Sequence, residues 1–493
     1  MKHVILGAGP AGVIAAETIR KHSATDQIVI IGDEPEAPYS RMAIPYLLIG
    51  KVGEEGTHLR HGANHFGQLG ITIKQGRAKA VDAENRSVLL EDGSSEPFDK
   101  LLIATGSSPA SPPIPGIDGE GVHPCWTLED ARAIMKGAQP GARVLQMGAG
   151  FIGCIIMEAL AARGVKLSVV EMGDRMVPRM MGPTAGGMIK DWCEKKGVAV
   201  YTGARVEAIE RPVAAAPPAR VAPTVASAAP TAAPAPEPGL LARLAQAVGL
   251  ASPAAPAPAP APAPAPVPVA AAPVAPSIAT AAAPGAPMLV RLSTGQHLEA
   301  DLVISATGVR PNIGFLEHSA VRCLVGVLTD EHLQTNVPGI YAAGDCAEAF
   351  DKISGTTIVS AIQPNAAEQA RVAALNMVGQ VTALKGVTQI NVLDTLGMIS
   401  ASFGKWDGVP GGEQVELVDR AAGKLLSLQF GGDKLVGCNS VGWTEHVGVM
   451  RGLVEGEVKL SPEWQQRLKH DPTLLMEAYL ANAQGQQGMA HVR

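Results

Sequence analysis

Three observations predict an α/β fold made of two similar units and a smaller α+β unit. Two glycine-rich turns, Gly7-Ala8-Gly9-Pro10-Ala11-Gly12 and Gly148-Ala149-Gly150-Phe151-Ile152-Gly153, each follow a short apolar run. A helical stretch and then a second β-rich run follow each turn, which is the β-α-β pattern of a parallel sheet. From about residue 385 the pattern changes to short strands succeeded by helices, an expected separate C-terminal α+β domain. The G-x-G-x-x-G spacing places a dinucleotide pyrophosphate at a helix N-terminus, so the first two units are expected to be Rossmann-like nucleotide-binding domains.

The elements follow in order. Val4-Ile5-Leu6 is a strand, Ala11 to Arg20 a helix, Ile28 to Ile31 the next strand and Leu101 to Ala104 a later one. The Pro-rich segment Ser108 to Pro115 is a crossing between domains. Arg143 to Met147 leads into the second turn, a helix runs on to about Arg163, and Leu167 to Val170 is the next strand. Residues 212–287 are mostly Ala, Pro and Val and lack Lys, Cys and aromatics, so they are expected to be disordered or extended. Within them Leu240 to Val248 puts its leucines and valine on one helical face, either a transient helix or a docking helix. Ala204 to Ile209 and Leu289 to Leu292 look like paired strands, so the insert replaces a loop at the edge of the second domain. The expected domains are 1–112 with 311–384, 113–211 with 288–310, and 385–493.

Composition narrows the function. A net charge of -6 argues against nucleic acid or an anionic membrane as the main partner. The six cysteines form neither a C-x-x-C pair nor a zinc-like quartet, so free thiols and no metal are expected. No Pro-free apolar run is long enough to span a bilayer, and a strand begins directly after Met1-Lys2; a cytoplasmic protein is expected.

Each turn residue has a mechanical reason. Gly7 permits the tight turn, Gly9 lets backbone N–H groups approach a pyrophosphate, and Gly12 lets the helix, opened by Pro10 and Ala11, pack against the strand. The acidic pair Asp33-Glu34 ends the second strand, where a carboxylate accepts from a ribose. Gly148, Gly150 and Gly153, with Phe151 and Ile152 between them, repeat the logic. There Glu171 ends the strand and repels a 2′-phosphate, so NADH is expected over NADPH, although Arg175 lies four residues on.

These residues resemble the FAD-dependent pyridine-nucleotide reductases: NADH oxidases, rubredoxin and ferredoxin reductases, and the flavin part of NADH-linked nitrite reductases. The resemblance covers nearly the whole chain outside the insert. It includes Ala104-Thr105-Gly106-Ser107-Ser108-Pro109, the run Ala306 to Asn312 with Gly308, and Thr335 to Asp345 with Gly344. It implies that Asp345 binds the ribityl and pyrophosphate end of FAD and that Arg41, in Pro38-Tyr39-Ser40-Arg41, contacts FAD phosphate. It also implies that the helix opened by Gln363-Pro364-Asn365 aims its N-terminus at the flavin. Hydride would pass from NADH to FAD, and electrons onward to a protein acceptor such as an iron–sulfur protein or the next subunit of a complex. A stand-alone NADH oxidase or quinone reductase, and a scaffold with structural cofactors, are the alternatives. The C-terminal domain resembles the family's α+β interface domain, which implies a homodimer.

The sequence also departs from that family. No cysteine stands in Ser40 to Pro45, no C-x-x-x-x-C pair exists, and His446 replaces the usual His-Pro, so disulfide reduction is not expected. Ile155 stands where relatives carry a Glu near the nicotinamide, with Glu158 a turn further on, and Tyr46 stands where several carry a Lys. Cys154 and Cys346 are expected to be packing residues. Trp443 is either ordinary interface packing or part of an electron path. No residue is assigned as catalytic.

Overall fold

The computed structural model describes residues 1–62, 64–211, 286–387 and 389–490, with side chains to residue 483. These residues belong to one compact unit. The expectations for the insert, its Leu240–Val248 helix included, lie outside the described residues.

The two nucleotide-type sheets share the order of four matching strands and differ in the fifth, which comes last in the chain in the first sheet and first in the second. The first runs Ile340–Ala342, Lys100–Ile103, Lys2–Leu6, Gln27–Gly32, Ile71–Gln75, with every pair parallel. Its central strand buries Val4, Ile5 and Leu6, because a sheet covered on both faces needs a continuous apolar run rather than alternation. The second runs Ala199–Thr202, Lys166–Glu171, Arg143–Met147, Leu302–Ser305, Val122–Pro124, again all parallel.

Helices follow the expected places. Pro10–His22 starts on Gly9 and packs along Gln363–Met377, Ala11, Ala15 and Ala16 sharing one core with Ala366, Ala370 and Ala373. Such small side chains let the two helices approach closely and aim both N-termini toward the same cleft. Phe151–Ala162 starts on Gly150 in the same way.

Val206–Glu210 pairs antiparallel with Met288–Leu292, which turns through Ser293 to Gln296 into His297–Ala300. The insert therefore separates two hydrogen-bonded partner strands, as the sequence reading expects. Among the elements that the sequence does not announce are a meander of Ala78–Asp82, Ser87–Leu90 and Ser95–Pro97, and the helix Leu128–Gly137. The helix had a legible start, since Thr127 and Asp130 form a capping box.

The C-terminal region is an antiparallel sheet in the order Ile390–Thr395, Met398–Gly404, Lys434–Val441, Lys424–Gly431, Glu413–Asp419. Phe403, Leu428 and Phe430 meet Met450, Leu453 and Leu468 of the following helices. Elsewhere Asn439 bridges to the second domain, donating to Met180 O at 2.9 Å and accepting from Gly182 N at 3.0 Å.

Candidate functional site: one cleft reached by both glycine turns

The first turn is a cradle that excludes side chains at two glycines and leaves room at the third. Gly7 has φ +112°, and a Cβ on it would lie 2.0 Å from Ala104 O. A Cβ on Gly12 would lie 1.9 Å from Gly7 O, whereas one on Gly9 would meet nothing within 4 Å. The second turn repeats each feature: Gly148 has φ +94° and a Cβ on it would lie 2.4 Å from Ala306 O, one on Gly153 would lie 2.5 Å from Gly148 O, and one on Gly150 would meet nothing within 4 Å. Gly7 N donates to Ile31 O at 2.7 Å and Gly148 N to Val170 O at 2.8 Å. In both turns the space beside the central glycine is what a pyrophosphate needs to reach backbone N–H groups. The residues present therefore fit two dinucleotides.

Of the residues expected to hold FAD, Gly7, Gly9, Pro10, Ala11, Asp33, Glu34, Arg41, Ala104, Thr105, Gly106, Gly344, Asp345 and Gln363 line one cleft. It measures about 1450 Å³ counted to its open mouth. Gly12 and Pro364 do not line it, and Gly12 serves helix packing. Phe151 and Ile152 of the second turn reach the same cleft, as do Ile155 and Ile156 one turn later. Gly148, Gly150, Gly153, Glu171 and Gly308 lie off it, and Gly308 keeps φ +110° just beyond the Ala306 carbonyl that Gly148 abuts. A second hollow shares Gly7, Asp33 and Thr105 with the cleft and runs out to Arg77 and Lys79.

A polar network frames the cleft. Arg41 donates to Glu34 Oε1 at 2.7 Å, to Tyr39 Oη at 2.9 Å and to Trp126 O at 2.9 Å. Its guanidinium also lies 5.3 Å from the Trp126 ring centroid, a cation–π distance. Tyr39 donates to Glu34 Oε2 at 2.5 Å. Burial pushes its phenol up, and the bond to Glu34 adds to that, so the proton stays on Tyr39. Trp126 Nε1 donates to Ser107 O at 3.0 Å, and Ser107 Oγ donates to Asp345 Oδ2 at 2.8 Å. Burial pushes the Asp345 carboxyl up, against the Ser107 bond and the Arg41 charge. Gln369 Oε1 accepts from Gly344 N at 2.8 Å and so fixes the turn that presents Asp345. Tyr39, Ser107, Trp126 and Gln369 were not read as site residues. In a chain with five tryptophans, Trp126 was the available signal.

One wall of the cleft is apolar. Ile155 lines it, and Glu158, raised by burial, does not. The expected departure at Tyr46 needs correction: Tyr46 is 53% exposed and outside the lining, and Met42 and Pro45 face the cleft instead. Trp443 also lies outside the lining and packs under Lys424, whose Nζ is 4.9 Å from the ring centroid. Cys125 lines the cleft, but burial and the Asp130 charge push its thiol up to about 12. Burial raises Cys154 and Cys346 as well, and Cys154 Sγ donates to Ala149 O at 3.7 Å. None of these is a thiolate at neutral pH.

Beside the second turn, Glu171 Oε2 accepts from Ala149 N at 2.7 Å and Oε1 from Gly173 N at 2.7 Å. Arg175 is held by Met181 O at 2.9 Å, Pro178 O at 3.3 Å and Asp174 Oδ1 at 2.7 Å. Among the described residues no helix is long and apolar enough to cross a membrane.

Known proteins resemble this chain in sequence and fold. The family model described as pyridine nucleotide-disulphide oxidoreductase matches residues 1–217 and 277–374. NADH-dependent phenylglyoxylate dehydrogenase subunit epsilon of Aromatoleum evansii is 29% identical over 465 residues, covering 94% of this chain and 93% of that one. NADH oxidase of Methanocaldococcus jannaschii is 28% identical over 396 residues, covering 77% and 70%. The ferredoxin reductase of Rhodopseudomonas palustris has the same fold, with a TM-score of 0.72 at 22% identity over 94% of this chain and 96% of that one.

Proposed function

The chain belongs to the pyridine nucleotide-disulphide oxidoreductase family, is an FAD-dependent NAD(P)H oxidoreductase, and we propose that it uses NADH and delivers electrons to a protein acceptor. The observation that carries this is the single cleft walled both by the Gly7–Ala11 turn and by Phe151, Ile152 and Ile155 of the second turn's helix. FAD, when bound, supplies the chemistry of accepting hydride from a nicotinamide and releasing electrons singly or in pairs.

The chain's residues do the rest. Gly9 and the N-terminus of Pro10–His22 receive pyrophosphate, with Arg41 as the nearby fixed positive charge. Asp33 or Glu34 accepts from ribose, and Asp345 faces the ribityl end of FAD. Ala104, Thr105 and Gly106 form the floor, and the N-terminus of Gln363–Met377 favours negative charge on the ring. The helix Phe151–Ala162 aligns the second nucleotide, and Ile155 keeps that contact dry, where a more polar wall would admit water.

Two features support NADH over NADPH. Glu171 puts a carboxylate at the strand end, and Arg175 is committed to backbone carbonyls and Asp174 rather than free for a 2′-phosphate. Raised thiols support an acceptor other than a disulfide. The Aromatoleum evansii relative, named as a subunit, supports a complex partner. Free cysteines fit a cytoplasmic home, and the exposed Val392 on the edge strand and Ile399 on the strand beside it offer an apolar contact for a homodimer.

The test compares acceptors. NADH turnover with the copurifying protein should exceed oxygen consumption by NADH alone. Equal rates would favour the stand-alone oxidase, the reading that the Methanocaldococcus jannaschii relative supports.

A further inference from the structure

The two turns place different residues at the same point. Ile5 lies two residues before Gly7, and its Cγ2 is the side-chain atom nearest a Cβ built on Gly12, at 3.3 Å. Gln146 lies two residues before Gly148, and its Nε2 takes that place against Gly153, at 2.9 Å. Gln146 is fully buried between Val169 and Ile304 on the neighbouring strands. Its Nε2 donates to Gly148 O at 2.8 Å, which settles the orientation of the amide, since a carbonyl cannot donate. Its Oε1 has no hydrogen-bond partner among the described residues.

That combination opposes stability. A buried amide oxygen without a partner destabilises the fold, and an aliphatic side chain of similar shape would avoid it, as Ile5 does in the first turn. The geometry points to Gln146 as a positioning residue for the pyridine nucleotide, an inference that rests on the second turn being its site. By holding Gly148 O, Gln146 fixes the peptide plane that carries Ala149 N–H. Glu171, accepting from Ala149 N, holds that same plane from its other edge, and Val177 N, donating to Ala149 O at 2.9 Å, fixes the next one. The turn is thus set from both sides before any nucleotide arrives, and preorganisation of this kind favours binding.

The test uses the full-length, FAD-loaded enzyme with Gln146→Met, which conserves volume, and Gln146→Ile, which copies the first turn. Gly150→Val is the reference, since its side chain enters open space beside the second turn. KM for NADH should rise roughly tenfold in the Gln146 variants, the size of one net hydrogen bond, with kcat changed less. Their FAD content should equal the parent's and their unfolding midpoint should equal or exceed it. If Gly150→Val raises KM and the Gln146 variants do not, the positioning role is wrong and the site reading stands. If the Gln146 variants lower the midpoint or lose FAD, Gln146 is a structural residue and the proposal falls. If Gly150→Val also leaves KM unchanged, the nucleotide does not bind at the second turn, and the proposal falls with that reading.

Discussion

The first glycine turn is flanked by Ile5 and faces a wall of polar side chains, Arg41, Glu34 and Asp345, that open toward the cleft. The second turn is flanked by Gln146, Glu171 and Val177, whose polar groups point into its own backbone. Backbone geometry is nearly the same in the two, so the difference lies in where hydrogen-bonding capacity is directed. A turn that presents charged side chains outward suits a ligand that stays. One whose groups are spent on fixing the peptide planes suits a ligand that comes and goes, because little side-chain entropy is lost at each binding event. Val177 shows the strain involved: a buried β-branched residue at φ +50° costs of order 1–3 kcal/mol, and its N–H is one of the groups holding Ala149.

The largest effect that breaks this comparison is Gly9→Val. No atom lies within 4 Å of the new Cβ, so the fold should survive while the pyrophosphate is blocked. FAD should be absent after desalting, read from the protein's flavin absorbance. A folded variant with full FAD would sink the assignment of the first turn.

Glu171→Gln comes next. A neutral amide loses two charge-assisted bonds to Ala149 N and Gly173 N, each worth about 1.5–3 kcal/mol. KM for NADH should rise while FAD stays bound, and the preference for NADH over NADPH should shrink. An unchanged ratio of the two kcat/KM values would remove Glu171 from specificity.

Asp345→Asn sharpens the first half. Burial raises the Asp345 carboxyl, so the folded apoprotein binds that proton more readily than the unfolded chain. Its stability contribution therefore improves as pH falls from neutral through the folded pKa, and is least favourable above it. The variant should lose that part of the pH dependence in apoprotein melts and bind FAD less tightly. A parallel pH profile would contradict the burial argument.

The smallest effect is expected at Tyr46. Exposed and outside the cleft, Tyr46→Ala should shift stability by no more than about 0.5 kcal/mol and leave KM for NADH alone. A marked change in turnover would restore Tyr46 to the site.

The pattern of what was legible in advance has a physical cause. Glycine spacing encodes local sterics, so Gly7, Gly12, Gly148 and Gly153 could be placed from sequence, and the structure shows the close backbone contacts that exclude a Cβ there. Parallel strands buried on both faces announce themselves as apolar runs. The strands flanking the insert were legible because the turn at Gly295 fixes where Met288–Leu292 must fold back. Trp126 and Gln369 were not legible, since their roles arise from partners distant in sequence: Ser107 for the indole and Gly344 for the amide. Gln146 was passed over as a strand residue because periodicity reports burial and not what a buried amide grips. Tyr46 was misplaced because a motif position fixes the chain's path, and the short helix Ile44–Leu48 then turns that side chain outward while Pro45 faces the cleft.

Anaerobic mixing of the FAD-loaded enzyme with NADH tests the central claim, that one cleft serves both turns. Flavin absorbance should bleach in the parent and in Asp345→Asn that retains FAD, and bleach far more slowly in Gly150→Val at the same FAD content. An FAD-loaded parent whose absorbance NADH does not change, or a Gly150→Val variant that bleaches as fast as the parent, would contradict it.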